Sequence, residues 1–191
     1  MSYAYGIFLY NKKMKRDNYF LLFLFSFPLV DFINLLTHRQ LNQYGVIPRN
    51  IEHLTGIFSS VWLHGNLSHL LANFTALIVL AFLCKQWGKT TFWKTTMLII
   101  VLSGSLVWLF GRPSLHIGAS GLVYGYFGFS VVAGWFSKKF YLTLISVAVV
   151  IFYGSMIWGV LPSQPSTSFE YHFAGFISGI LSAKVFASSR T

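Results

Sequence analysis

Charge is what this sequence has least of: Asp, Glu, Lys and Arg make up 9% of its 191 residues, where a soluble globular chain carries roughly 25%. With 55% hydrophobic and 19% aromatic residues, there is too little polar surface to face water, and a soluble globule is excluded. Cysteine is almost absent. The single Cys84 sits inside an apolar run, so no internal disulfide forms and no cysteine-based metal spacing exists. The net charge of +10 would suit a nucleic-acid binder if the basic residues gathered on one face or tail. They punctuate the hydrophobic runs instead, so no nucleic-acid partner is expected. No small-residue cleavage site follows the first apolar run, which reads as a retained helix and not a removed signal peptide.

What the chain does have is six long apolar runs, at about 19–36, 66–84, 92–110, 118–136, 140–160 and 170–187. The expected fold is an all-α membrane protein of six transmembrane helices. Residues 1–18 form an N-terminal segment, 19–187 one membrane domain and 188–191 a tail. The interval from Thr37 to Gly65 is the one extended loop expected, and nothing in it marks a second domain. If the N-terminus is cytoplasmic, eleven Lys and Arg fall on that side and only Arg39, Arg49 and Arg112 on the other. That bias predicts both termini in the cytoplasm and the long loop outside.

The fourth run opens Gly118-Ala119-Ser120-Gly121 and continues with Tyr124, Gly125 and Gly128. Gly121, Gly125 and Gly128 share a helical face that lets another backbone approach closely in lipid. The sixth run answers with His172, Gly175, Gly179 and Ala183 at helical offsets. Packing of these faces would bring Ser120 near His172. Ser120 stands 18 residues before Lys138, about 27 Å of helix, and His172 about 18 Å from Lys184, so both fall within a hydrocarbon layer of about 30 Å. An ionisable group at that depth points to function, and a hydroxyl beside an imidazole is the minimum for base-assisted nucleophilic attack. On the second run, His69 and Asn73 are four apart and share a face, offering two donors suited to a developing oxyanion.

Taken together, His64, His69 and Asn73 on the second run, Gly118 to Gly121 opening the fourth, and His172 with Gly175 and Gly179 on the sixth resemble the rhomboid family of intramembrane serine proteases. The resemblance covers about residues 19–187 in the same helix order. It implies a rhomboid-like fold in which Ser120 is the nucleophile and His172 the general base, without a third acid. The Ser120 N–H, His69 and Asn73 would form the oxyanion hole, and Tyr124 would stack on His172. Gly118, Gly121 and His64 would support the site, with Gly125, Gly175 and Gly179 packing the helices. The implied substrates are transmembrane proteins in the lipid bilayer, cleaved without metal or cofactor. The implied location is a bacterial inner membrane, with the site opening to the extracytoplasmic side. One departure is the Trp-Arg pair common in the family before the second helix, replaced here by His53-Leu54-Thr55-Gly56-Ile57-Phe58.

Competing readings stand beside these. Ser120 could be only a small packing residue, His172 an interfacial helix cap, and His69 and Asn73 interhelical hydrogen bonders. His64 reads as a loop anchor, His116 as a solvated loop residue, and His38 and His53 as ordinary loop residues. Asp31 has no evident basic partner in sequence, and neither it nor Glu170 is expected to complete a triad. Phe152, Met156, Trp158 and the loop Leu161 to Ser166 could gate substrate entry or form an aromatic interface belt. The rival functions are a catalytically silent rhomboid-like protein that binds membrane clients, and a small transporter. The first typically lacks the serine or histidine, and the second needs polar residues on several spans.

Overall fold

The structure, a computed structural model, describes residues 2–162 and 167–188, with side chains from residue 18 onward. Part of the loop assigned above to gating, residues 163–166, and the last residues of the tail lie outside the described residues. The fold is all-helical: α1 (Ser2–Leu36), α2 (Gly56–Ser59), α3 (Leu67–Cys84), α4 (Lys89–Phe110), α5 (Ser120–Ala133), α6 (Phe140–Tyr153) and α7 (Phe169–Phe186). Six of them coincide with the six apolar runs, and α2 is a single turn in the connection between the first two. The first helix begins at Ser2, so the basic N-terminal segment continues it. Between Gly6 and Pro28 no glycine or proline interrupts the run.

Among the described residues, four stretches are long and apolar enough to cross a membrane: Asn18–Leu36, Leu67–Trp87, Lys89–Phe110 and Phe140–Val160. Helix α5 is apolar but shorter than the run that carries it, 14 residues or about 21 Å. It sits inside the bundle, against α7 most extensively and then α3, α6 and α4. Its glycines allow this. A Cβ on Gly175 would collide with the Gly121 carbonyl, and one on Gly179 with the Gly125 carbonyl. Backbone meets backbone there, the closest approach two helices can make. The shared glycine face expected on α5 is only partly right. The Cβ direction of Gly121 points at the Tyr171 ring of α7, but that of Gly125 points at Ile99 of α4, because so short a buried helix is contacted from every side.

The 37–66 connection is more ordered than a loop of its composition suggests. It is built of short helical turns and docks on the strand-like segment before α5. Val46 and His116 exchange both backbone hydrogen bonds, at 3.0 and 2.8 Å, and the Gly118 N–H donates to the Ser60 carbonyl at 2.9 Å. Arg49, with a left-handed φ of 60°, donates to the Leu109 and Gly111 carbonyls at 3.1 and 3.0 Å, closing the end of α4. These contacts set where α5 begins.

Candidate active site

Helices α3, α5 and α7 start at one end of the bundle, and each start is fixed locally. The Asn66 side chain caps α3 by accepting from the His69 N–H at 2.8 Å, and Ser168 caps α7 by accepting from the Tyr171 N–H at 3.3 Å. Before α5 the chain passes through Gly118 at φ +122°, a conformation costly for any other residue. A Cβ there would also lie 2.8 Å from His69 Nε2 and 3.8 Å from Asn73 Nδ2. Gly118 is therefore small for two reasons, and both expected oxyanion donors lie close beside it.

Between these helix starts lies a cavity of about 1110 Å³ lined by Ser120, His172, His69, Asn73 and Tyr124, among others. His172 is held on two sides. Its Nδ1 lies 2.8 Å from the Gly159 carbonyl, and since a carbonyl only accepts, Nδ1 carries the proton and Nε2 keeps its lone pair. Its ring stacks on Tyr124, centroids 4.1 Å apart and planes 9° from parallel. Ser120 is 7% exposed. No direct hydrogen bond joins its Oγ to His172 among the described residues, although both line the one cavity.

The backbone N–H groups around Ser120 are only partly spent. The Gly118 and Ala119 N–H groups are taken by the Ser60 carbonyl and by His64 Nε2, the latter at 3.4 Å. The Ala119 carbonyl accepts from Val123 at 2.9 Å, which turns the Ser120 N–H away from the helix. That N–H donates to no described residue, as expected of a first-turn orphan donor. Asn73 spends one amide hydrogen on the His69 carbonyl at 3.0 Å and keeps the other.

The structure corrects two sequence readings, those of His116 and Asp31, and details two more. His116 is not solvated: it is 1% exposed, with Nδ1 2.7 Å from Ser168 Oγ and Nε2 3.0 Å from the Arg112 carbonyl. It is buried because the 37–66 connection covers it. Asp31 has a basic partner, Arg39, whose Nη1 donates to Oδ1 at 2.5 Å. The pairing was hidden because His38 and Arg39 both take left-handed backbone, φ 51° and 65°, folding the chain back past the end of α1. His64 is fully buried, and its pKa is pulled down to about 4, first by burial and then by His69, against the pull of Asp31. It is neutral at neutral pH. Glu170 faces Arg112, which it grips through Nε at 2.5 Å and Nη2 at 3.1 Å, and so is spent away from His172.

Gly159 was missed altogether. It lies in the helical turn Gly154–Val160 after α6, a Cβ on it would strike the Tyr124 hydroxyl, and its carbonyl is the group that fixes the His172 tautomer. A backbone carbonyl has no residue signature, so no sequence pattern could have named it. Among the described residues, no group of three or more His, Cys, Asp or Glu is placed to hold a metal ion.

Residues 51–189 match the rhomboid domain. A protein of Mycobacterium tuberculosis with no described function is 34% identical over 164 residues, 81% of this chain and 68% of its own length. RHOMBOID-like protein 1 of Arabidopsis thaliana is 31% identical over 140 residues, covering 68% of this chain but 34% of the plant protein. RHOMBOID-like protein 5 of the same plant is 27% identical over 131 residues, 64% of this chain and 41% of its own. The matched region runs from before α2 through α7 and includes the whole cavity; on these grounds the chain belongs to the rhomboid domain family of membrane proteins.

Proposed function

We propose that this protein is an intramembrane serine protease that hydrolyses peptide bonds in or near transmembrane segments of other membrane proteins. One observation carries the reading. His172 is clamped by the Gly159 carbonyl and the Tyr124 ring with Nδ1 spent on that carbonyl, in the same cavity as Ser120, His69 and Asn73. In the proposed reaction Ser120 Oγ attacks the scissile carbonyl carbon and gives its proton to His172 Nε2. The oxyanion is met by the Ser120 N–H, His69 and Asn73. Nε2 then passes the proton to the leaving amine, and water, activated by the same imidazole, releases the acyl group from Ser120. No metal or organic cofactor enters these steps.

The finer topology belongs to the same proposal: six spans, both termini cytoplasmic, and the cavity opening extracytoplasmically in a bacterial inner membrane. The distribution of Lys and Arg supports that orientation, and the polar residues at one end of the bundle fit a water-accessible site below the membrane surface.

The test is cleavage of a single-span substrate by purified protein in bilayers, beside Ser120→Ala and His172→Ala, together with fluorophosphonate labelling. Both variants are expected to fall to background, and Ser120→Ala to lose the label. Cleavage that survives Ser120→Ala would sink the mechanism. A wild type that binds membrane proteins without cutting them would favour the silent client-binding alternative.

A further inference from the structure

The mechanism leaves one buried ionic cluster unused, and it lies directly behind the oxyanion pocket. Asp31 and Asn34 sit one turn apart on α1, 3% and 0% exposed. Asn34 holds the returning chain by accepting from the Leu41 N–H at 3.0 Å and donating to Asn42 at 2.8 Å. Arg39 donates from one nitrogen to Asp31 at 2.5 Å and to the His64 carbonyl at 3.1 Å, and Asn42 donates to the same carbonyl at 3.3 Å. His64 is thus gripped by its backbone. Its ring is placed as well: Nε2 accepts the Ala119 N–H, so Nδ1 carries the proton, and Nδ1 stands 4.0 Å from Asp31 Oδ1. The opposite side of the ring system meets His69 edge to face, centroids 5.2 Å apart.

We propose that the Asp31–Arg39 pair is a positioning device for the oxyanion pocket, acting through His64. The carboxylate orients the imidazole by attracting its Nδ1–H. The imidazole in turn fixes the Ala119 peptide on one side and the His69 ring on the other, so the Ser120 N–H and the His69 donor keep their relative position. Two consecutive left-handed residues, His38 and Arg39, are strained unless the surroundings hold them, and the hydrogen bonds to Asp31, Asn34 and His64 do so. A surface ion pair would not need this geometry. The pair is largely buried, with side-chain exposures of 20% for Arg39 and 5% for Asp31, where removing one partner leaves an uncompensated charge.

This inference rests on the protease reading, and its test separates the two. Wild type, Asp31→Asn, the double variant Asp31→Asn/Arg39→Gln, His64→Asn, and His64→Asn combined with the double variant are assayed for kcat, KM and thermal stability. The double variant removes both charges together, so it remains informative if Asp31→Asn alone does not fold. A positioning role predicts a kcat loss of about tenfold with KM within about twofold, less than the loss of about a hundredfold or more from deleting an oxyanion donor. In the His64→Asn background the charge-free pair should cost no further kcat. If the double variant keeps wild-type kcat and loses only stability, or if the two losses multiply, the pair is a strut and the inference fails. If the wild type shows no Ser120-dependent cleavage, the protease reading fails first and takes the inference with it.

Discussion

Helices α5 and α6 are equally long, fourteen residues each, yet eleven residues of α5 are buried and only three of α6. In water the more apolar helix would be the inner one. Here α6, made mostly of Val, Ile, Leu, Phe and Tyr and free of glycine, lies at the edge with Ile151 and Phe152 at 70% and 78% exposure, while α5, broken up by glycine, takes the centre. Among lipid tails an apolar side chain gains little by turning inward, whereas small residues gain close backbone contact. Ser120, the proposed nucleophile, sits on the wedged helix. The carbonyl that orients His172 comes from the turn that follows the loosely packed one, which is fastened to α5 near its middle by Ser146, donating to the Ser130 carbonyl at 2.5 Å and accepting from the Gly134 N–H at 2.9 Å.

The contrast is broken most severely at the glycine contacts. Gly179→Leu must push its Cβ into the Gly125 carbonyl and close to the Phe129 N–H, backbone that cannot rotate away. The expected cost is about 3 kcal/mol, the upper end for overpacking, read as a lowered midpoint of thermal unfolding in detergent together with loss of cleavage. Wild-type stability in this variant would mean that α5 and α7 are not locked.

A smaller effect is expected where the loosely packed element meets the site. Gly159→Ala places a methyl against the Tyr124 hydroxyl, shifting the carbonyl that holds His172, and kcat should fall about tenfold, a part of the roughly hundredfold or more that a well-placed general base contributes. Tyr124→Phe removes the colliding oxygen but keeps the ring. Adding it to Gly159→Ala should recover most of the rate, and failure to recover would place the damage elsewhere.

The smallest stability effect belongs to the exposed face of α6 and its extension. Phe152→Ala and Trp158→Ala, at 78% and 70% exposure, should change stability by no more than about 0.5 kcal/mol while raising the cleavage rate, if this edge opens to admit a substrate helix. Equal rates to wild type in both detergent and bilayers would remove gating from the account and leave an interface belt.

The elements were largely legible in the sequence. The six runs became six helices because hydropathy and helical period are local properties, and the charge scarcity already required a membrane. Boundaries were less legible: the fourth run is apolar well beyond Ala133, and its helix starts where Gly118 and the docked 37–66 connection end the extended segment. Of the candidate site, Ser120, His172, His69, Asn73 and Tyr124 could be named in advance because each carries a reactive or aromatic side chain in a recognisable pattern. They line one cavity. His116 was misread since its burial depends on a connection far away in sequence, and Asp31 since its partner follows a left-handed turn that ordinary residues seldom make.

By itself, then, the sequence determined the solvent, the order of the helices and the side chains available for chemistry, all consequences of composition and short-range spacing. Tertiary structure alone decided which groups aim those side chains. The Gly159 carbonyl behind His172, the Arg39 guanidinium behind Asp31 and the unspent Ser120 N–H come from backbone placed by packing between distant segments. A carbonyl or N–H is common to nearly every residue, so nothing in the identity of the amino acids marks the few that end up facing the site.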